Sequence, residues 1–202
     1  MKYIKKYLEQ VSEISSNIDQ NKINNMVNII CDIKKNNGRI FFIGVGGSAA
    51  NCSHAVNDFR KIANIECYSP IDNVAEITAR TNDEGWDTIF APWLECSKIN
   101  EKDCLFVLSV GGGNKENNIS VAIIKALELA VSKKSKILGV VGRDGGYTAK
   151  LANECIIIPT LSSDTITPHA ESWQGVIWHL LVSHPRIMSM SNKWESIDQN
   201  SK

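Results

Sequence analysis

No charge of either sign dominates this chain: its 202 residues carry 22 Lys and Arg against 22 Asp and Glu. Without a basic excess, nothing draws the protein to nucleic acid or to an anionic membrane, so function must come from a local site. Long apolar runs are also missing. None approaches the ~18 residues needed to span a bilayer, and Met1 to Gln10 lacks the apolar segment of a secretory signal. A cytoplasmic protein with no membrane partner is the expectation. The cysteines, Cys31, Cys52, Cys67, Cys96, Cys104 and Cys155, include no C-x-x-C pair and several sit inside apolar runs, the pattern of buried reduced thiols. Internal repeats, low-complexity tracts and linkers are absent as well.

What remains is a chain with 43% apolar residues, enough for one sizeable core. Ile4, Tyr7, Leu8, Val11, Ile14 and Ile18, then Ile23, Met26, Val27, Ile30 and Ile33, recur at helical spacing. They predict two amphipathic helices joined near Gln20 and Asn21, whose stripe must be buried on the chain's own body or on another subunit. Past Gly38 the pattern alternates. Strands are predicted over Arg39 to Gly44, Glu66 to Tyr68, Asp103 to Ser109, Lys136 to Val141 and Cys155 to Ile158. Helices are predicted over Ser48 to Ile62, Val74 to Thr81, Thr88 to Lys98, Asn117 to Lys133, Tyr147 to Leu151 and His169 to Ser183. Right-handed crossovers then give an α/β fold: a doubly wound, mostly parallel five-stranded sheet flanked by helices. The organisation expected is a single domain over 1–202, with a helical pair (1–36), an α/β core (38–185) and a polar, partly disordered tail (186–202).

Two glycine-rich turns each follow an apolar run: Gly44-Val45-Gly46-Gly47-Ser48 and Ser109-Val110-Gly111-Gly112-Gly113-Asn114. A buried parallel strand that ends in glycine and opens a helix points free N–H groups at an anion above the sheet. The first turn lacks the third glycine of a G-x-G-x-x-G dinucleotide site, and no G-K-[ST] follows either turn, which excludes a P-loop. A small anionic metabolite is the ligand class these turns suit.

His54 and Asp58, four residues apart on a predicted helix, can share a metal or a proton, or form a solvated pair. The C-terminal helix adds Glu171 and His179. These two lie within about 80° of one helical face but roughly 12 Å apart along the axis. Either that helix is irregular around Gly175, or one ligand comes from a second subunit. Histidines with carboxylates suit Zn²⁺ and acid/base work near neutral pH.

The helical pair, the G-x-G-G-S-A turn, His54 followed by a carboxylate, Asn82-Asp83-x-Gly85, the strand ending in Ser109 and the late helix with His179 stand in one order. In that order the chain resembles the sugar isomerase (SIS) family and, within it, the phosphoheptose isomerases, which convert sedoheptulose 7-phosphate to glycero-manno-heptose 7-phosphate. The resemblance implies metal ligands at His54, Asp58, Glu171 and His179, where family members carry His, Glu, Gln and His, with one Zn²⁺ per subunit. It implies substrate contacts from Gly46, Gly47, Ser48, Asn82, Asp83, Ser109, Gly111, Gly112 and Asn114. It further implies an enediol proton transfer with Asp58 as base and His179 as acid, Glu171 being the alternative base, and a homotetramer with sites between subunits. The second turn departs from the family's hydroxyl-rich run, keeping only Ser109, and Val45 replaces an asparagine. A non-catalytic alternative is a sugar-phosphate sensor or a tetrameric adaptor resembling the DnaA-binding initiator-associating protein; another is an isomerase of a different sugar.

Overall fold

A computed structural model describes residues 2–197. Helices α1 (Lys2–Asn17) and α2 (Gln20–Lys35) meet at Asp19, whose carboxylate accepts the N–H groups of Asn21 and Lys22 and caps α2. The apolar stripe of α2 is buried through Ile23, Met26, Val27, Ile30 and Ile33. That of α1 is not: only Gln10 and Ile14 are buried, while Tyr3, Ile4 and Leu8 are exposed.

Five strands follow, β1 (Ile40–Ile43), β2 (Cys67–Tyr68), β3 (Cys104–Ser109), β4 (Lys136–Val141) and β5 (Glu154–Ile157), all parallel in the order β2-β1-β3-β4-β5. The remaining helices are α3 (Gly47–Lys61), α4 (Val74–Asp83), α5 (Ala91–Cys96), α6 (Val121–Ser132), α7 (Gly146–Leu151), α8 (Ile166–Ser183) and α9 (Lys193–Ile197). Every residue of β1 and β3 is buried, because helices cover both faces of the sheet. On one face Phe42 stacks on Phe106 with ring centroids 5.0 Å apart and touches Phe59 of α3, with α2 and α8 completing the layer. On the other face Phe41, Leu105 and Val107 meet Leu94 of α5 and Ala126 and Leu127 of α6. The foot of the sheet is held by Asp103, which accepts from the backbone N–H and guanidinium of Arg39 and from Asn100.

Four expectations need correction. The helix predicted over Asn117 to Lys133 begins only at Val121, because Asn114 and Ile119 pair in a short antiparallel bridge and Ser120 turns left-handed (φ 55°). The stretch Thr88 to Lys98 splits into a 3-10 turn at Trp86–Thr88 and the short α5. The tail is tied down at its start: Ile187 is fully buried, Lys34 donates to its carbonyl, and the backbone N–H of Ser189 bonds Ile62. Its last residues, 198–202, lie outside the described residues. The late helix also starts earlier than expected, at Ile166, since Pro168 falls in the first turn where no intrahelical donor is required.

His169 fastens α1 to the body. Its ring stacks on Tyr7 at 4.4 Å, its Nε2 lies 3.0 Å from Gln10 Oε1, and its buried Nδ1 has no partner among the described residues. Burial holds its pKa below the ordinary 6.5. Between that depressed value and about 6.5 the unfolded chain binds more protons than the folded one, so stability falls as pH drops through this window. Urea midpoints measured from pH 7.5 to 5 are expected to decline less steeply in His169→Leu than in the parent.

Candidate active site

The strand order sets the site. From β1 the chain leaves to α3 on one face, and from β3 it leaves towards α6 on the other, so a crevice opens between the carboxyl ends of β1 and β3. Both glycine turns lie at that crevice. From it α3 and α8 run side by side, and the chemistry is laid out along their length.

At the far end of the pair sits a compact cluster. The side chain of Asp58 is nearly buried, and its Oδ2 accepts the indole N–H of Trp178 at 3.1 Å. The same oxygen lies 3.4 Å from His54 Nε2 and 3.2 Å from His179 Nε2, while Oδ1 accepts the Asn57 amide at 3.0 Å. His179 Nδ1 is 2.8 Å from the carbonyl of Gly175, an acceptor only, so Nδ1 carries the proton. A neutral ring would then turn the Nε2 lone pair on a carboxylate oxygen. Two acceptors at that distance require positive charge between them, either a second ring proton or a cation. One ligand atom from each of His54, Asp58 and His179 lies within 4.8 Å of the others. Zinc–ligand bonds of 2.0–2.2 Å in a tetrahedron place ligand atoms about 3.4 Å apart, close to the spacings found. Both imidazoles are half exposed, leaving a coordination position open to solvent. The donor set fits a divalent metal.

Glu171 does not join that cluster. α8 is continuous through Gly175, so no irregularity brings Glu171 and His179 together; they stay roughly 12 Å apart along the axis. Within one chain the four-ligand set is therefore corrected to three. The Glu171 carboxylate instead occupies the first glycine turn, with Oε1 accepting the Ser48 N–H at 3.0 Å and facing the Ser48 hydroxyl at 3.3 Å. The anion expected over this turn is thus supplied by the protein. A Cβ on Gly47 would fall 2.7 Å from the carboxyl carbon of Glu171, so any larger residue there must displace the carboxylate. Gln174, fully buried, donates to Ser48 Oγ, and Asn51 donates to Gln174 and to the Glu171 carbonyl. Asn51 is a residue that sequence reasoning missed, although Ser48, Asn51, Ala55 and Asp58 recur at helical spacing on one face.

The second turn is shaped by its own bonds. Ser109 Oγ accepts the Gly112 N–H at 3.0 Å, and the Gly112 carbonyl accepts from the backbone and hydroxyl of Thr148. Gly112 has φ 68°, and a Cβ there would strike the carbonyl of Gly145. The Asn114 side chain accepts the Asn117 N–H and so turns back on its own loop. The N–H groups of Gly111 and Gly113 make no hydrogen bond among the described residues. Gly46, with φ 66°, caps α3. Asn82 and Asp83 are exposed at the end of α4, where the Asn82 amide donates to Asp83 at 2.8 Å.

Comparison with known proteins decides the family. Residues 2–142 match the SIS domain. The chain belongs to that family. Within it, the phosphoheptose isomerase of Helicobacter pylori (strain P12) is 28% identical over 183 residues, covering 88% of this chain and 85% of that protein. The lincomycin biosynthesis protein LmbN of Streptomyces lincolnensis is 31% identical over 160 residues, covering 73% of this chain but only 56% of its own length. The structure of phosphoheptose isomerase GmhA from Neisseria gonorrhoeae superposes with a TM-score of 0.76 at 18% identity, covering 90% of this chain and 94% of that one, which shows the shared fold. This SIS domain stands in the phosphoheptose isomerase-like branch, whose enzymes are isomerases.

The contact between Glu171 and the first turn of this SIS domain can be tested directly. Gly47→Ala is expected to push the carboxylate off the Ser48 N–H and to cost about 1–2 kcal/mol. In a Glu171→Ala background the same change should be neutral or stabilising, since alanine is the better helix former. Chemical denaturation of the four proteins of this cycle reads the coupling.

Proposed function

We propose that this SIS domain interconverts the ketose and aldose forms of a phosphorylated sugar, with sedoheptulose 7-phosphate to glycero-manno-heptose 7-phosphate the leading pair. The observation that carries the reading is the convergence of His54, Asp58 and His179 in a chain whose relatives are named phosphoheptose isomerases. A 1,2 proton transfer needs a base at carbon and an acid at oxygen, both effective near neutral pH. Asp58 accepts the carbon-bound proton, held in position by the Trp178 indole N–H. His179, its Nδ1 fixed on Gly175, delivers a proton to oxygen from Nε2. Zn²⁺ held by His54, Asp58 and His179 would, when bound, supply Lewis-acid polarisation of the carbonyl in place of the His179 proton, since a ring nitrogen that holds the metal carries none. Six unpaired cysteines fit a reducing cytoplasm, where phosphorylated sugars are handled.

Mutants report on this directly. Asp58→Asn and His179→Ala are each expected to lower turnover of sedoheptulose 7-phosphate by 100-fold or more while keeping the fold, read by NMR time courses in D₂O and by circular dichroism. Either variant working within a few-fold of the parent removes that residue from the mechanism. A glycine-rich second turn with one hydroxyl also favours a sugar-phosphate sensor or adaptor. Purified protein that holds no zinc and turns over no sugar would decide for that second reading.

The separation of Glu171 from the cluster, together with the exposed Tyr3, Ile4 and Leu8 of α1, supports a homotetramer whose sites are shared. Light scattering should then give four copies. If Glu171 of one subunit serves the cluster of another, mixing inactive Glu171→Ala and His179→Ala proteins restores activity through hybrid sites. Mixtures that stay inactive would confine each site to one chain.

A further inference from the structure

We propose that Arg143 is a specificity-determining residue: its guanidinium provides the positive charge that holds the substrate's phosphate at the Ser109–Asn114 turn. The inference rests on the isomerase reading for the identity of the substrate, but its geometry is independent of the metal cluster. Ser109 is the one hydroxyl in this turn, and its oxygen already accepts the Gly112 N–H, so main-chain donors carry most of what the turn offers an anion. The free N–H groups are those of Gly111 and Gly113, and they bring no formal charge.

Arg143 supplies it. The residue follows β4, where the Gly142 N–H bonds the Val110 carbonyl and locks the two loops together. The Arg143 side chain crosses the second turn, its Cδ lying 3.5 Å from where a Cβ of Gly111 would stand. It is exposed, and it makes no hydrogen bond or ion pair among the described residues. Its neighbour Asp144 is engaged, accepting the Gly146 N–H. Lys115, further along the turn, is committed to Glu128 at 2.6 Å. Arg143 also holds a left-handed backbone (φ 53°), a conformation that non-glycine residues adopt at some cost. An unpaired planar guanidinium on a side chain that passes Gly111 suits the oxygens of a phosphate ester. The adjoining cleft of about 510 Å³ does not have this character, because its lining carries as many acidic residues, Glu116 and Asp144, as basic ones, Lys115 and Lys150.

The test uses the full chain, with sedoheptulose 7-phosphate and inorganic phosphate as probes in steady-state kinetics and calorimetry. Arg143→Gln is expected to raise KM for the sugar phosphate and Ki for inorganic phosphate tenfold or more, with kcat within threefold of the parent. Arg143→Lys should recover part of the loss, and Lys150→Gln should stay within twofold of the parent. If turnover proceeds and Arg143→Gln leaves KM and Ki unchanged, or Lys150→Gln does equal damage, the assignment to Arg143 falls and the isomerase reading stands. Arginine-dependent phosphate binding without turnover would uphold the anion site and count against the isomerase. A parent that binds neither probe overturns both.

Discussion

The alignment of α3 with α8 is the constraint on which the site depends. At one end the Glu171 carboxylate closes on the Ser48 N–H and hydroxyl; at the other, the Asp58 carboxylate takes the Trp178 indole N–H. Each helix thus lends a carboxylate to the other. These charge-assisted bonds, with the Asn51–Gln174–Ser48 hydrogen bonds between them, set the register of two helices that also share an apolar seam of Cys52, Ala55, Ile177 and Leu181. Slippage of α8 by one turn, about 5.4 Å, would break both anchors at once and carry His179 away from His54.

That register separates two kinds of chemistry. The crevice at the sheet's carboxyl edge offers backbone donors, and one of its two turns is already filled by the protein's own carboxylate. The histidine cluster lies beyond it, at the opposite end of α3. Ten residues separate Ser48 from Asp58, roughly 15 Å of helix. A single chain therefore sets the backbone donors of the second turn and the His54, Asp58 and His179 cluster at some distance from each other. The apolar face of α1 stays exposed at Tyr3, Ile4 and Leu8.

Much of this was legible in the amino-acid order. The strand positions held to within a residue or two because a parallel sheet covered on both faces demands unbroken apolar runs, and Cys104 to Ser109 is such a run. The pairing of His54 with Asp58 was readable from helical spacing alone. The boundaries that moved did so where local side-chain and backbone bonds outweighed periodicity. Asn114 and Ile119 pair across a turn and delay α6, while Lys34 and Ile62 capture a tail that composition alone describes as loose.

By itself the sequence determined the strand and helix alternation, the two glycine turns and the short list of residues able to do acid/base or metal chemistry, since these follow from period, backbone freedom and functional groups. Which of those residues meet was decided only by tertiary structure. Helical spacing shows that Glu171 and His179 share a face, but not that one closes a glycine turn while the other joins His54 and Asp58. That choice comes from how α8 packs along α3, a contact between segments more than a hundred residues apart that no local pattern encodes.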